Sequence, residues 1–365
     1  MKILAIDLGK DKSVFVEYIT GSTDPKQHTY GTIPTDPQHV HDLLAKTRPD
    51  RLVIEACPSA GWVHDLAAAM DIQTQVANTN DERWQWRRAK KKSDRVDALK
   101  CAQMSEMGCL PTVHVPSPQV RQWRSLIEYR HGLVDRRTAI KNSIRSIFHR
   151  QGERLPAGQK AFGVAGIAQL KKEARPLNQC SALELWRGQL QVELEALESV
   201  HKQVLEVEAK LADLAKENQR VQLLQGAPCV GPRLSELVVA VLDEPGRFKN
   251  AKQVGAYAGL TPRRWQSGKS VREGHISGFG HPLLRELLVE ISWLGVRYNT
   301  WMKSVYENVR RGSDKRKKVA IVAVARRLLI RLWAMLRDGT KWKEPQVSVQ
   351  RVGQTSDATP LAVSA

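Results

Sequence analysis

Cysteine is scarce and unordered in this chain: Cys57, Cys101, Cys109, Cys180 and Cys229 are five in number, far apart, and show no C-x-x-C spacing. An odd, scattered set argues against a disulfide framework or a zinc finger and fits a reducing compartment. No apolar run approaches the roughly 18 residues needed to cross a bilayer, and no amphipathic anchor stands out. The opening "MKILAIDLGK" lacks the apolar core and small-residue cleavage site of a signal peptide, so the expected location is the cytoplasm, on nucleoid DNA when bound. Acids are the other shortage. Against 57 Lys and Arg stand 38 Asp and Glu, a net charge of +19. Such an excess attracts polyanions by releasing their condensed counterions, and without a membrane anchor the expected partner is nucleic acid.

With 365 residues the chain can build two or three domains, each with its own core. "KILAIDLG" and "KSVFVEYI" are β-branched runs parted by Gly9 to Asp11, the pattern of a strand hairpin, and "TYGTIP" suits a third strand. Helical "PQHVHDLLAKT", strand "RLVIEA", helical "WVHDLAAAM" and strand "IQTQVAN" follow, giving an α/β domain over residues 1–112.

From Gln119 to Gln151 apolar residues recur at helical spacing among many Arg and Lys, which predicts one long amphipathic helix. Residues 152–181 read as a connection with room for one short helix. Leu183, Trp186, Leu190, Leu197, Val200, Val204, Val207, Leu211 and Leu214 then keep steps of three and four, with one beat skipped near Glu193. This heptad pattern predicts an antiparallel coiled coil over residues 113–220, serving equally a bundle inside one domain or an interface between chains.

Residues 221–343 read as a helical domain. "LLQGAPCVGPRLSELVVAVL" has the pattern of a helix-hairpin-helix, whose turn offers backbone N–H groups to a DNA phosphate, with Cys229 in place of its first glycine. Next come helix "NAKQVGAYAGL", a polar loop "TPRRWQSGKSVREGHISGFG", helix "HPLLRELLVEISWLGVRY" and a basic amphipathic helix "KRKKVAIVAVARRLLIRLWAML". The tail over residues 344–365 has the composition of a disordered segment.

Four acids are placed where such an α/β domain gathers them: Asp7 on the first strand, Glu55 on "VIEA", and Asp94 and Asp97 one helical turn apart. Clustered carboxylates repel unless a cation joins them, and hard oxygen donors suit Mg²⁺ or Mn²⁺, which activate nucleophiles and stabilise leaving oxygens of phosphodiesters. Singly, each acid also suits a turn, a strand end or a helix start. "AIDLGK" also opens actin-like ATPase folds, but these need a second glycine-rich phosphate loop, which the later half lacks.

Ser267 lies in "RRWQSGKSVR" among Arg263, Arg264, Lys269 and Arg272. A serine hydroxyl attacks phosphate when a base, a metal or a dense positive field activates it, and spacing alone favours the plainer reading of a surface loop that grips phosphate. Arg83, Arg87, Arg88, Lys90, Lys91 and Lys92 form a second basic run before Asp94. Trp84, Trp86 and Trp265 interleave with arginine, as base-stacking or as core residues.

Together "AIDLGK", "VIEACPSAGW", "KKSDRVDALK" and "YAGLTPRRWQSGKSVREGHISGFGHPLLRELL" resemble the DEDD-type insertion-sequence transposases, which pair a RuvC-like domain with a serine-bearing domain and are viewed as bridge-RNA-guided recombinases. The resemblance runs over about residues 1 to 340, in order. It implies a ribonuclease-H-like fold, with Asp7, Glu55, Asp94 and Asp97 as Mg²⁺ ligands and Ser267 as the nucleophile of a covalent protein–DNA intermediate. It further implies a composite site from two protomers of a coiled-coil tetramer, and a structured non-coding RNA that pairs with donor and target DNA. Three positions depart from the family pattern: Gly9 where Ser or Ala is usual, Cys229 for a hairpin glycine, and "ISGFGH" for a more basic run. Two other readings remain open: a junction-type nuclease that activates water, and a non-catalytic nucleic-acid scaffold.

Overall fold

The computed structural model describes residues 1–22, 27–79, 81, 93–158, 160–267 and 270–344. Two compact units divide the chain, Met1–Arg121 and Gln122–Ala365.

The first unit is built on a five-stranded mixed sheet of β1 (Lys2–Asp7), β2 (Lys12–Ile19), β3 (Thr29–Pro34), β4 (Arg51–Glu55) and β5 (Gln73–Ala77) in the order β3-β2-β1-β4-β5. β1, β2 and β3 run antiparallel, and β4 and β5 continue parallel to β1. Each predicted strand is present. Helices α1 (Pro37–Thr47), α2 (Ala60–Ala69) and α3 (Asp94–Glu106) supply the covers. Asp36 starts α1 by accepting the His39 N–H at 3.0 Å, and Pro37, having no N–H to lose, occupies the first turn. Because side chains alternate along a strand, two cores form. Leu4, Ile6, Leu52 and Ile54 pack with residues of α1 and α2, and Ile3, Ala5 and Val53 with residues of α3.

The second unit is helical. α4 (Pro118–Arg150) and α6 (Leu185–Glu217) are the two long helices, with α5 (Val164–Glu173) in the connection between them. They run antiparallel: Arg130 near one end of α4 bonds Glu208 of α6 at 2.9 Å, and Ser143 further along bonds Glu193 at 2.6 Å. Leu190, Leu197, Val204 and Leu211, seven residues apart, are all buried. The skipped beat has a cause, because Glu193 takes the Ser143 hydroxyl while the adjoining Leu194 fills the core. Leu183, in contrast, is 91 % exposed.

α7 (Gln219–Gln225) and α8 (Pro232–Leu242) follow, joined by a short turn in which Cys229 adopts a left-handed φ of 61°. Glycine would meet no Cβ penalty in that conformation, whereas Cys229 carries one. α8 is buried from Leu234 to Leu242 and forms the centre of the largest core, with α10 (Pro282–Tyr298), α11 (Thr300–Arg310) and α12 (Lys317–Asp338) around it. α9 (Ala251–Tyr257) leads to a two-stranded antiparallel hairpin, β6 (Pro262–Ser267) and β7 (Ser270–Ile276). That hairpin replaces the predicted polar loop. Its strands offer few apolar residues to reveal a period of two, so composition hid them. The tail expected to be disordered lies, from residue 345 on, outside the described residues.

Candidate active site

Asp7 and Glu55 end two adjacent parallel strands whose register pairs Ile6 with Ile54. They continue the odd-numbered series of Ile3, Ala5 and Val53, which faces α3, while their even-numbered neighbours face α1 and α2. Ser93 caps α3 by accepting the Val96 N–H at 3.4 Å and so places Asp94 and Asp97 in the first turn, where the helix dipole favours negative charge. Asp97 is 6 % exposed; Asp94 is exposed to solvent.

Cys101, one turn beyond Asp97, is buried on the side of α3 that packs on the sheet. Burial pushes its thiol pKa up, and the negative charges of Glu55, Asp7 and Asp97 push it further. Asp7 and Glu55 thus lie on the sheet side that α3 covers, Asp97 is buried in the first turn of α3, and Asp94 is exposed. Sequence spacing puts both helix acids on one face, but only Asp97 is covered.

The far end of α3 is tied down by polar contacts. The Tyr18 hydroxyl donates to Glu106 Oε2 at 2.5 Å and the Gly21 N–H to Oε1 at 2.8 Å, while Arg51 Nη1 reaches the Ser105 carbonyl and hydroxyl at 3.2 and 3.1 Å. The Glu106 carboxylate pushes the Tyr18 pKa up to about 12, and the same hydrogen bond lowers that of Glu106. Sequence reasoning missed this clamp, because Glu106 and Ser105 read as ordinary helix-end residues.

Among the described residues no three of His, Cys, Asp and Glu close into a coordination shell. The chemistry of the donor set still suits a hard divalent cation, since the four acids offer carboxylate oxygens and Asp7 and Glu55 end adjacent strands on the sheet face that α3 covers.

Ser267 is the last residue of β6, in register with Ser270. Arg263 and Arg272 are exposed on the hairpin, and Trp265, opposite Arg272, is 58 % exposed, which removes it from the core. Its ring lies against Gly274, where a Cβ would collide with it. Arg264 belongs to β6; Lys269, Arg83, Arg87, Arg88, Lys90, Lys91 and Lys92, with Trp84 and Trp86, lie outside the described residues.

The base of the hairpin is closely built. The Ser277 N–H donates to the Thr261 carbonyl at 2.9 Å. Gly259 and Gly280 have φ of 68° and 87°, and a Cβ on either would run into backbone, the Phe279 carbonyl for Gly259 and the Tyr257 carbonyl for Gly280. Arg285 on α10 donates to the Phe279 carbonyl at 2.7 Å. His281 starts α10, with Nδ1 accepting the Leu284 N–H at 3.4 Å and Nε2 meeting Glu128 at 3.0 Å. Burial lowers its pKa, in keeping with a neutral ring that accepts at one nitrogen and donates at the other.

An acid-bearing mixed sheet followed by a helical domain is the build of an enzyme that cuts and rejoins DNA, a transposase or recombinase. The family comparisons agree: the DEDD transposase domain of IS110 elements matches residues 4–151, and the transposase IS116/IS110/IS902 family domain matches residues 221–307. The chain belongs to the IS110 family of transposases. It is similar to the transposase for insertion sequence element IS1111A of Coxiella burnetii, 28 % identical over 92 % of this chain and 90 % of the relative. It is also similar to the putative transposase y4rJ of Sinorhizobium fredii, 27 % identical over 80 % of this chain and 78 % of that one. A pilin gene-inverting protein of Moraxella lacunata is 34 % identical over a shorter stretch, 33 % of this chain and 38 % of its own. No helix among the described residues is long and apolar enough to cross a membrane.

Proposed function

We propose that the chain is a site-specific DNA recombinase of its insertion sequence, in which Ser267 attacks a DNA phosphodiester and a structured non-coding RNA selects donor and target sequences. The catalytic part is supported by Asp7 and Glu55 ending adjacent strands on the sheet face that α3 covers, with Asp97 buried in the first turn of that helix, as a divalent-metal nuclease domain would need. These three, with Asp94 at the rim, would hold Mg²⁺, or Mn²⁺ in its place, which when bound supplies Lewis-acid stabilisation of charge on the phosphodiester. Ser267 Oγ would form a bond to phosphorus as the bond to the departing sugar oxygen breaks, keeping the phosphodiester's energy for rejoining. Arg263 and Arg272 on the same hairpin suit a grip on the flanking phosphates. The α7–α8 turn would serve as a helix-hairpin-helix on a backbone phosphate. The α4–α6 pair would act as a coiled coil that joins protomers into a homo-oligomer.

Ser267→Ala decides between this reading and hydrolysis by activated water, which the three acids within one unit would also suit. On a denaturing gel the wild-type chain with cognate DNA and Mg²⁺ is expected to show a protein–DNA adduct, and Ser267→Ala neither adduct nor joined strands. Strand exchange that survives Ser267→Ala would end the covalent mechanism. Asp7→Asn and Asp97→Asn are expected to lower cleavage by at least about a hundredfold. A discrete structured RNA co-purifying with the chain is the expected mark of guidance.

A further inference from the structure

Between α4, α5 and α6 lies an open groove of about 470 Å³, remote in sequence from both the acids and the serine hairpin. Its floor is apolar, made by Phe162, Ile167, Leu194 and Leu197. Its rim is basic. Arg137, Lys141 and Lys171 face it against one carboxylate, Glu198, before His201 is counted. Glu198 is engaged by Lys171 at 3.4 Å, which leaves the rim with two more cations than anions.

Neighbouring contacts reinforce this polarity. Lys141 Nζ and the Arg145 guanidinium lie 5.2 and 5.1 Å from the centre of the Phe162 ring. Arg145 is committed to structure, since it donates to the Pro156 and Gly158 carbonyls at 3.0 and 2.8 Å. Burial, then the charges of Arg137 and Arg145, lower the Lys141 pKa, so an anion between these cations would relieve their mutual repulsion.

We propose that this groove takes one unstacked nucleotide of a single-stranded segment, its base on the Leu194–Leu197–Ile167 floor and its phosphates on Arg137 and Lys141. The size is that of a site for a small molecule rather than a duplex surface. A stacked duplex presents phosphates but no free base face, whereas a splayed nucleotide offers an apolar plane beside an anion, which is the pairing the groove provides. The assignment rests on the reading that the chain handles nucleic acid, but not on the chemistry of Ser267.

The test uses the full-length Ser267→Ala chain without divalent metal, so that strand cleavage plays no part and failure of the covalent mechanism leaves the readout unchanged. Oligonucleotides of about twelve residues carrying 5-iodouracil, as single-stranded DNA, single-stranded RNA and duplex, are photo-crosslinked and the adducts mapped by peptide mass. Single strands are expected to crosslink within the Phe162 peptide and the duplex not; the stronger of the DNA and RNA arms identifies the source of the nucleotide. Leu197→Trp fills the groove without changing charge and is expected to lower the yield about tenfold. Arg137→Ala with Lys141→Ala is expected to do the same with the floor intact, and serves where Leu197→Trp does not fold. The proposal is overturned if adducts map only elsewhere, or if both variants leave the Phe162 adduct unchanged. It is also overturned if the single-strand adduct is absent and Leu197→Trp instead dissociates an oligomer, which would make the groove an interface between copies of this chain.

Discussion

Cys101 concentrates the chemistry of the first unit at one residue. It is 2 % exposed and lies within the field of Glu55, Asp7 and Asp97, so both burial and charge oppose the thiolate. In the native chain at about pH 8, iodoacetamide is therefore expected to alkylate the partly exposed Cys57, Cys109, Cys180 and Cys229 and to spare Cys101 until the chain is unfolded. Labelling of Cys101 at the rate of the others, read by peptide mass, would show that α3 does not cover it on the sheet. The composition suggested nothing of this, since the thiol counted only as one of five scattered cysteines. The acids themselves were more legible. Alternation along β1 and β4 fixes which face Asp7 and Glu55 join, and the Ser93 cap fixes where α3 begins. What spacing could not reveal was that Asp97 is covered and Asp94 is not, because that depends on where the helix start meets the sheet.

At the scale of elements, legibility followed the strength of the apolar pattern. Strands β1, β4 and β5 and helices α4, α6 and α12 bury their apolar stripes, so period and length identify them. The β6–β7 hairpin carries its stability elsewhere. It is anchored at its base by Gly259, Gly280 and Arg285, and its body is polar. Glycine alone allows both the left-handed backbone and the close approach of the Tyr257 carbonyl at Gly280. Gly280→Ala is accordingly expected to cost about 2–3 kcal/mol, from strain and displaced backbone together. The loss should be local. Hydrogen exchange at the Ser277 amide, bonded to Thr261, is expected to speed up while amides of β1 and β4 keep their protection. Uniform loosening across both regions would mean that the glycine pair does not act as the hairpin's own foundation.

On the scale of the molecule, the chain divides its work between two units with separate cores. The clusters on the two faces of the sheet are formed by residues before Arg121, and the large helical core and the α4–α5–α6 cluster by residues after it. Among the described residues no buried residue belongs to both sets, so a cavity is expected to cost stability chiefly in the unit where it is opened. Leu52, beneath α1 and α2, and Leu237, at the centre of α8, are both fully buried. Leu52→Ala and Leu237→Ala should each cost about 2–5 kcal/mol, the lost transfer energy plus the cavity left behind. Calorimetry of the full chain is expected to resolve two transitions, with Leu52→Ala lowering one by several degrees and Leu237→Ala lowering the other. A single transition that both substitutions shift alike would make the chain one cooperative body. Two would mean that the acid-bearing unit keeps its sheet and α3 in place whatever the state of the serine-bearing unit. Under the proposed mechanism, that independence would keep the acids of the first unit in place while the unit that carries Ser267 loosens.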